Sequence, residues 1–142
     1  MPTIKSFTDL SQSRKLAEIL PLESADGFWE YHDKWCSEGD EWEGYEDYPR
    51  AEPYLEYTRK ENEWKEDKSD IPCWSLASLL GVIPKRIKYY NVLTIDISEN
   101  EFAIRYDEIA YRVNNDLPDI TKDNPVDACV EMVIRLHELN LL

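Results

Sequence analysis

The sequence predicts an α+β fold: an antiparallel sheet of two hairpins packed with three helices, in the order α-β-β-α-β-β-α. Three observations lead there. Aromatic and β-branched runs flank polar turns, which is the pattern of half-buried antiparallel strands. Three other stretches carry helix start or stop signals around apolar residues at helical spacing. The chain has 142 residues, 42% of them hydrophobic. A single domain of that size buries roughly 70% of the surface its unfolded chain exposes, so it needs neither disulfides nor a metal to fold.

The elements follow in order. Residues 8–20 predict the first helix, with Thr8 or Ser11 as N-cap, Pro21 as stop, and Leu16, Ile19 and Leu20 on the buried face opposite Arg14, Lys15 and Glu18. The aromatic run Phe28 to Trp35 predicts a strand. A loop follows to Pro53, and Tyr54 to Arg59 predicts the returning strand of a hairpin whose tip is acidic. Pro72 to Gly81 has no charged residue and predicts a second helix buried on most sides, with Gly81 at its end and Pro84 just beyond. Ile87 to Ile97 and Phe102 to Tyr106, on either side of Ser98-Glu99-Asn100-Glu101, predict a second hairpin. In the last helix Asp123 or Asn124 is the cap, Pro125 takes the first position, and Asp127 lies in the first turn. Val126, Cys129, Val130, Val133, Leu136 and His137 form its stripe. With no repeat and no linker, residues 1–142 read as one domain carrying an acidic aromatic hairpin and loop at about 28–66.

Three stretches carry a resemblance: Lys15 to Asp26, Pro72-Cys73-Trp74-Ser75-Leu76 running to Leu80, and Asp123-Asn124-Pro125-Val126-Asp127-Ala128-Cys129 running on to Leu136 and Leu142. They resemble a group of short, uncharacterised proteins of phages and mobile elements of gut bacteria. The resemblance covers around a third of the chain. It implies a shared scaffold and no particular chemistry, and the acidic segment 38–70 lies outside it.

Thirty acidic residues against 16 basic ones give a net charge of -14. Residues 1–28 carry -1, residues 29–70 carry -9 and residues 71–142 carry -4. The middle segment also holds Trp29, Trp35, Trp42 and Trp64 with five tyrosines, and disordered acidic tails are poor in aromatics, so order is expected here. The charge excludes an ordinary basic nucleic-acid binder, whose affinity comes from clustered Lys and Arg. No apolar stretch is long enough for a membrane span, no secretory signal is visible, and Cys36, Cys73 and Cys129 are an odd number, so a cytoplasmic location is expected.

Sites for chemistry are sparse. His32, Cys36, Cys73 and His137 have the residue types of a Cys2His2 zinc site, but no Cys-x-x-Cys pairing supports one, and no histidine is placed to activate a cysteine. On this reading Cys73 and Cys129 are buried apolar residues and His137 is a packing residue. Glu63-Trp64-Lys65 with Asp47, Asp67 or Asp70 has the acid-x-Lys form of a metal-dependent nuclease, yet Glu66-Asp67-Lys68 repeats it at once, as chance predicts in so acidic a segment. Asp40, Glu41, Glu43, Glu46 and Asp47 lack the spacing of a calcium loop. No Gly-rich phosphate loop and no Gly-x-Ser-x-Gly elbow occurs. Lys85, Arg86 and Lys88 complement the end of the second helix.

The expectation is therefore a non-enzymatic protein-interaction module without cofactor, whose contact residues are Trp35, Glu41, Trp42, Glu43, Tyr45, Glu46, Asp47 and Tyr48 and whose partner is a protein of basic character. Neither direct nucleic-acid binding nor a membrane is expected. The alternatives are an acidic DNA mimic that inhibits a host nucleic-acid-binding or defence protein, and a small metal-dependent hydrolase.

Overall fold

The structure, a computed structural model, describes residues 5–32, 43–54, 70–88, 90–108 and 116–142. It combines α-helices with antiparallel sheets, so the chain is α+β. Its contacts fall into two compact units, Phe7–Ser75 and a second made of Met1–Ser6 with Leu76–Leu142. No helix among the described residues is long and apolar enough to cross a membrane.

In the first unit, helix α1 spans Leu10–Ala17. Its cap is Asp9, not Thr8 or Ser11: the Asp9 carboxylate accepts from Gln12 N at 2.8 Å, and the Gln12 side chain accepts from Asp9 N at 3.1 Å. Thr8 is fully buried and does something else. Its hydroxyl accepts from Trp74 N at 3.1 Å and its carbonyl accepts from Trp29 Nε1 at 3.0 Å, tying three segments together. Leu16 and Leu20 are buried as expected, while Ile19 is half-buried.

Strand β1, Gly27–Trp29, pairs antiparallel with β4, Ile71–Cys73, in the register Phe28↔Pro72. This corrects two expectations. The partner of the first strand lies at 71–73, whereas the expected returning strand, from residue 55 onward, falls outside the described residues. Residues 72–75 are also not helical, and the segment spans a strand before the helix. Phe28 directs its own N–H and C=O to Arg50, at 2.9 and 2.8 Å, so its pairing with Pro72 needs no N–H from the proline. The next two N–H groups after β4 bond to side chains of other segments: Trp74 N donates to the Thr8 hydroxyl, and Ser75 N to Asp26 Oδ1 at 2.8 Å. Among the described residues this unit also has two short strands, β2 (Tyr31–His32) and β3 (Gly44–Tyr45), paired Tyr31↔Tyr45 and His32↔Gly44.

In the second unit, helix α2 is Leu76–Val82. Leu79 is buried, but Ala77 and Gly81 are exposed, so the helix is not buried on most sides. Its lack of charge comes from small residues on the open face. Lys85 Nζ donates to the carbonyls of Leu80 and Ile83, the expected complement to a helix end. The single strand expected from Ile87 is instead two: β5 (Arg86–Ile87) folds back on β6 (Asn91–Ile97). Lys88 takes a positive φ of 50° in the turn between them. β6 and β7 (Phe102–Glu108) form the expected hairpin, closed by Ser98 N donating to Glu101 O at 3.0 Å. A fourth strand, β8 (Asp119–Lys122), completes the sheet order β5-β6-β7-β8.

Phe102, Ile104 and Tyr106 alternate onto one face of β7 and are buried, as is Ile120, opposite Ile104 on β8. Helix α3, Pro125–Glu138, packs against α2, β7 and β8, and its residues Val126, Cys129, Val130, Val133 and Leu136 are buried. Asn124 is its cap, accepting from Val126 N at 2.9 Å and Asp127 N at 3.3 Å. His137 is exposed, which corrects its place on the buried stripe: it follows Leu136 by one residue, about 100° round the helix and out to solvent.

Candidate functional site

Among the described residues, Glu30, His32 and Glu46 gather around the β2–β3 pair. Glu46 N donates to Glu30 O at 3.2 Å, extending the ladder by one pair, so Glu30 and Glu46 face each other across the strands. Side chains two residues apart on a strand share a face. His32 therefore joins Glu30, and Gly44, opposite His32, has no side chain to obstruct it. His32 Nε2 lies 2.8 Å from Glu46 Oε1 and 3.9 Å from Glu30 Oε2. Arg50, held by its two backbone bonds to Phe28, reaches back so that its Nε lies 2.8 Å from Glu30 Oε2 and 3.8 Å from Glu46 Oε2. Like charges directly opposite each other on paired strands are destabilising. Here an imidazole and a guanidinium stand against the two carboxylates.

The opposite face of the same pair is aromatic. Tyr31 and Tyr45 meet edge to face, with centroids 5.2 Å apart and planes at 79°. Tyr31 donates its hydroxyl hydrogen to Glu43 Oε1 at 2.5 Å, and the Arg14 guanidinium lies 5.7 Å from the centre of the Tyr45 ring. Just beyond, Tyr45, Glu46, Asp47 and Tyr48 line a shallow cleft of about 430 Å³. Tyr48 is 77% exposed.

Burial is the first cause of the raised pKa values of Tyr54, Cys73, Tyr106 and Cys129. Asp70 is buried and accepts from Tyr31 N at 2.7 Å. Tyr54 has its pKa raised by desolvation and then by the Asp70 charge. Cys73 is raised by burial and then by Asp26, and Cys129 is pushed up to about 12, mainly by burial. Burial thus holds both thiols in the neutral form, which is the less nucleophilic one.

Of the contact residues expected from sequence, Trp35, Glu41 and Trp42 lie outside the described residues, as do Cys36 and the segment Glu63 to Lys68. Glu43 and Tyr45 are engaged with Tyr31 and Arg14 on one face, whereas Glu46 belongs to the other. Asp47 and Tyr48 are exposed. Sequence reasoning missed Glu30 and Arg50. The signal for Glu30 was present in its two-residue spacing from His32, but Glu46 and Arg50 become neighbours only once the strand register is known.

A comparison of the chain with family models, curated proteins and solved structures finds no match.

Proposed function

We propose that the chain is a non-enzymatic protein-interaction module of a phage or mobile element, acting in the cytoplasm, which engages a basic protein through the segment that includes Trp35 and runs through Tyr48. The observation that carries this reading is Tyr48: a tyrosine ring 77% exposed at the lip of a cleft walled by Tyr45, Glu46 and Asp47. An aromatic anchor gives contact area at little entropic cost, and the carboxylates around it steer a cationic partner. Affinity purification from a host lysate at two salt concentrations tests it. A specific partner lost from both Tyr48→Ala and the combined Glu41→Gln, Glu43→Gln, Glu46→Gln, Asp47→Asn variant supports the reading. Partners unchanged in both variants refute it.

The division of charge favours one further reading. The unit Phe7–Ser75 carries 19 acidic and 8 basic residues, a net of -11, against -3 for the rest. Carboxylates dense enough to imitate phosphates would occupy the basic groove of a nucleic-acid-binding protein. Duplex DNA then competes with the chain for its partner, and a partner indifferent to DNA and to salt excludes this version.

A further inference from the structure

We propose that Glu30, His32 and Glu46 form a binding site for one divalent transition-metal ion of the zinc class, and that the ion and the Arg50 guanidinium compete for the same two carboxylates. The site shares Glu46 with the surface proposed for the partner, while Glu30 and His32 lie outside that surface, on the opposite face of the β2–β3 pair from Tyr31 and Tyr45, and zinc titration of the chain alone reads the site without any partner.

Geometry comes first. One ligand atom from each of the three residues lies within 4.8 Å of the others. Zinc binds imidazole nitrogen and carboxylate oxygen at about 2.0 to 2.2 Å, so two ligands of one ion stand no more than about 4.4 Å apart. The His32 Nε2 separations of 2.8 Å from Glu46 and 3.9 Å from Glu30 already satisfy that limit. The rest is a small rotation of glutamate side chains 17% and 29% exposed. The backbone does not need to move, because the pairs Tyr31↔Tyr45 and His32↔Gly44 and the bond from Glu46 N to Glu30 O hold the ligand-bearing strands in register.

The donor set selects the ion. Calcium and magnesium take oxygen ligands, whereas one imidazole with two carboxylates suits zinc and its neighbours. Three protein ligands leave a position for water. Charge supplies the competition: Arg50 neutralises the opposed carboxylates, its side chain is 48% exposed, and its place in the sheet rests on backbone bonds. It can swing into solvent while the ladder stays intact.

The test is calorimetric titration of the tag-free, chelator-treated full chain with Zn2+ alone. One saturable equivalent is expected, weakened at least about tenfold by His32→Ala and by Glu46→Gln, as ligand loss does. His137→Ala and Cys36→Ser should bind as the parent does; if either removes the equivalent, the assignment is wrong. Because His32→Ala removes an ion-pair partner as well as a ligand, Arg50→Ala is the deciding variant. Competition predicts tighter zinc binding, while a purely structural ion-pair network predicts a looser hairpin and no gain. No saturable equivalent, unchanged binding in His32→Ala, or weaker binding in Arg50→Ala would each overturn the proposal.

Discussion

Gly27 shows how little room the first unit leaves at its centre. A Cβ there would stand 2.6 Å from Arg50 O and 2.9 Å from both Cys73 Sγ and Phe7 Cε1, and the nearest of these is backbone that cannot turn aside. Gly27→Ala is expected to lose about 2 kcal/mol of stability, read as a lower urea midpoint. The buried thiols give a second expectation. Unfolded cysteines ionise near their ordinary value of 9.0, whereas folded Cys129 keeps its proton up to about 12. The folded state therefore binds more protons in that window, and stability falls as pH rises from about 9 towards 12. Cysteine-to-serine replacement at position 129 should flatten that part of the pH profile, and an unchanged slope would show that the thiol does not contribute. Thr8 marks the limit of sequence reasoning at this scale. A threonine before a helix reads as a cap, and only its contacts with Trp29 and Trp74 reveal a buried junction.

Among elements, α3 rests on a local device that is open to a clean measurement. Asn124→Ala removes the acceptor for Val126 N and Asp127 N and should lower stability by about 1 kcal/mol, whereas Asn124→Asp or Asn124→Ser should retain most of it. Equal losses in all three variants would mean that packing, not capping, sets the cost. This helix and the β6–β7 hairpin were legible because their signals are local: a cap followed by proline and an apolar stripe, and two β-branched runs around a four-residue turn. The β1–β4 pair was not, since Pro72 at the head of an uncharged run suits the first turn of a helix as well as a strand position that needs no N–H. What decides between them is Phe28, more than 40 residues earlier, whose hydrogen bonds already go to Arg50. The candidate site was hidden for the same reason. Glu30 and His32 could be placed on one face of a strand, but their partners depend on a register no local pattern specifies.

At the scale of the whole molecule, charge is concentrated on one of two compact units, -11 against -3. Like charges so concentrated repel one another, and salt screens them with a Debye length of about 10 Å at 0.1 M. Raising NaCl at neutral pH should therefore raise the thermal midpoint. A fall would mean that ion pairs such as Arg50–Glu30 at 2.8 Å and Arg105–Asp96 at 2.6 Å outweigh the repulsion. The boundaries of the acidic unit carry a further consequence. Phe7 and Ser75 form a bridge, and Thr8 N donates to Trp74 O at 3.0 Å, so the chain enters and leaves this unit through neighbouring backbone positions. In topological terms Phe7–Ser75 is an insertion, a closed excursion between Ser6 and Leu76. Segments whose ends meet in this way suit transplantation into a surface loop of an unrelated host and tolerate circular permutation, with new ends opened elsewhere in the excursion.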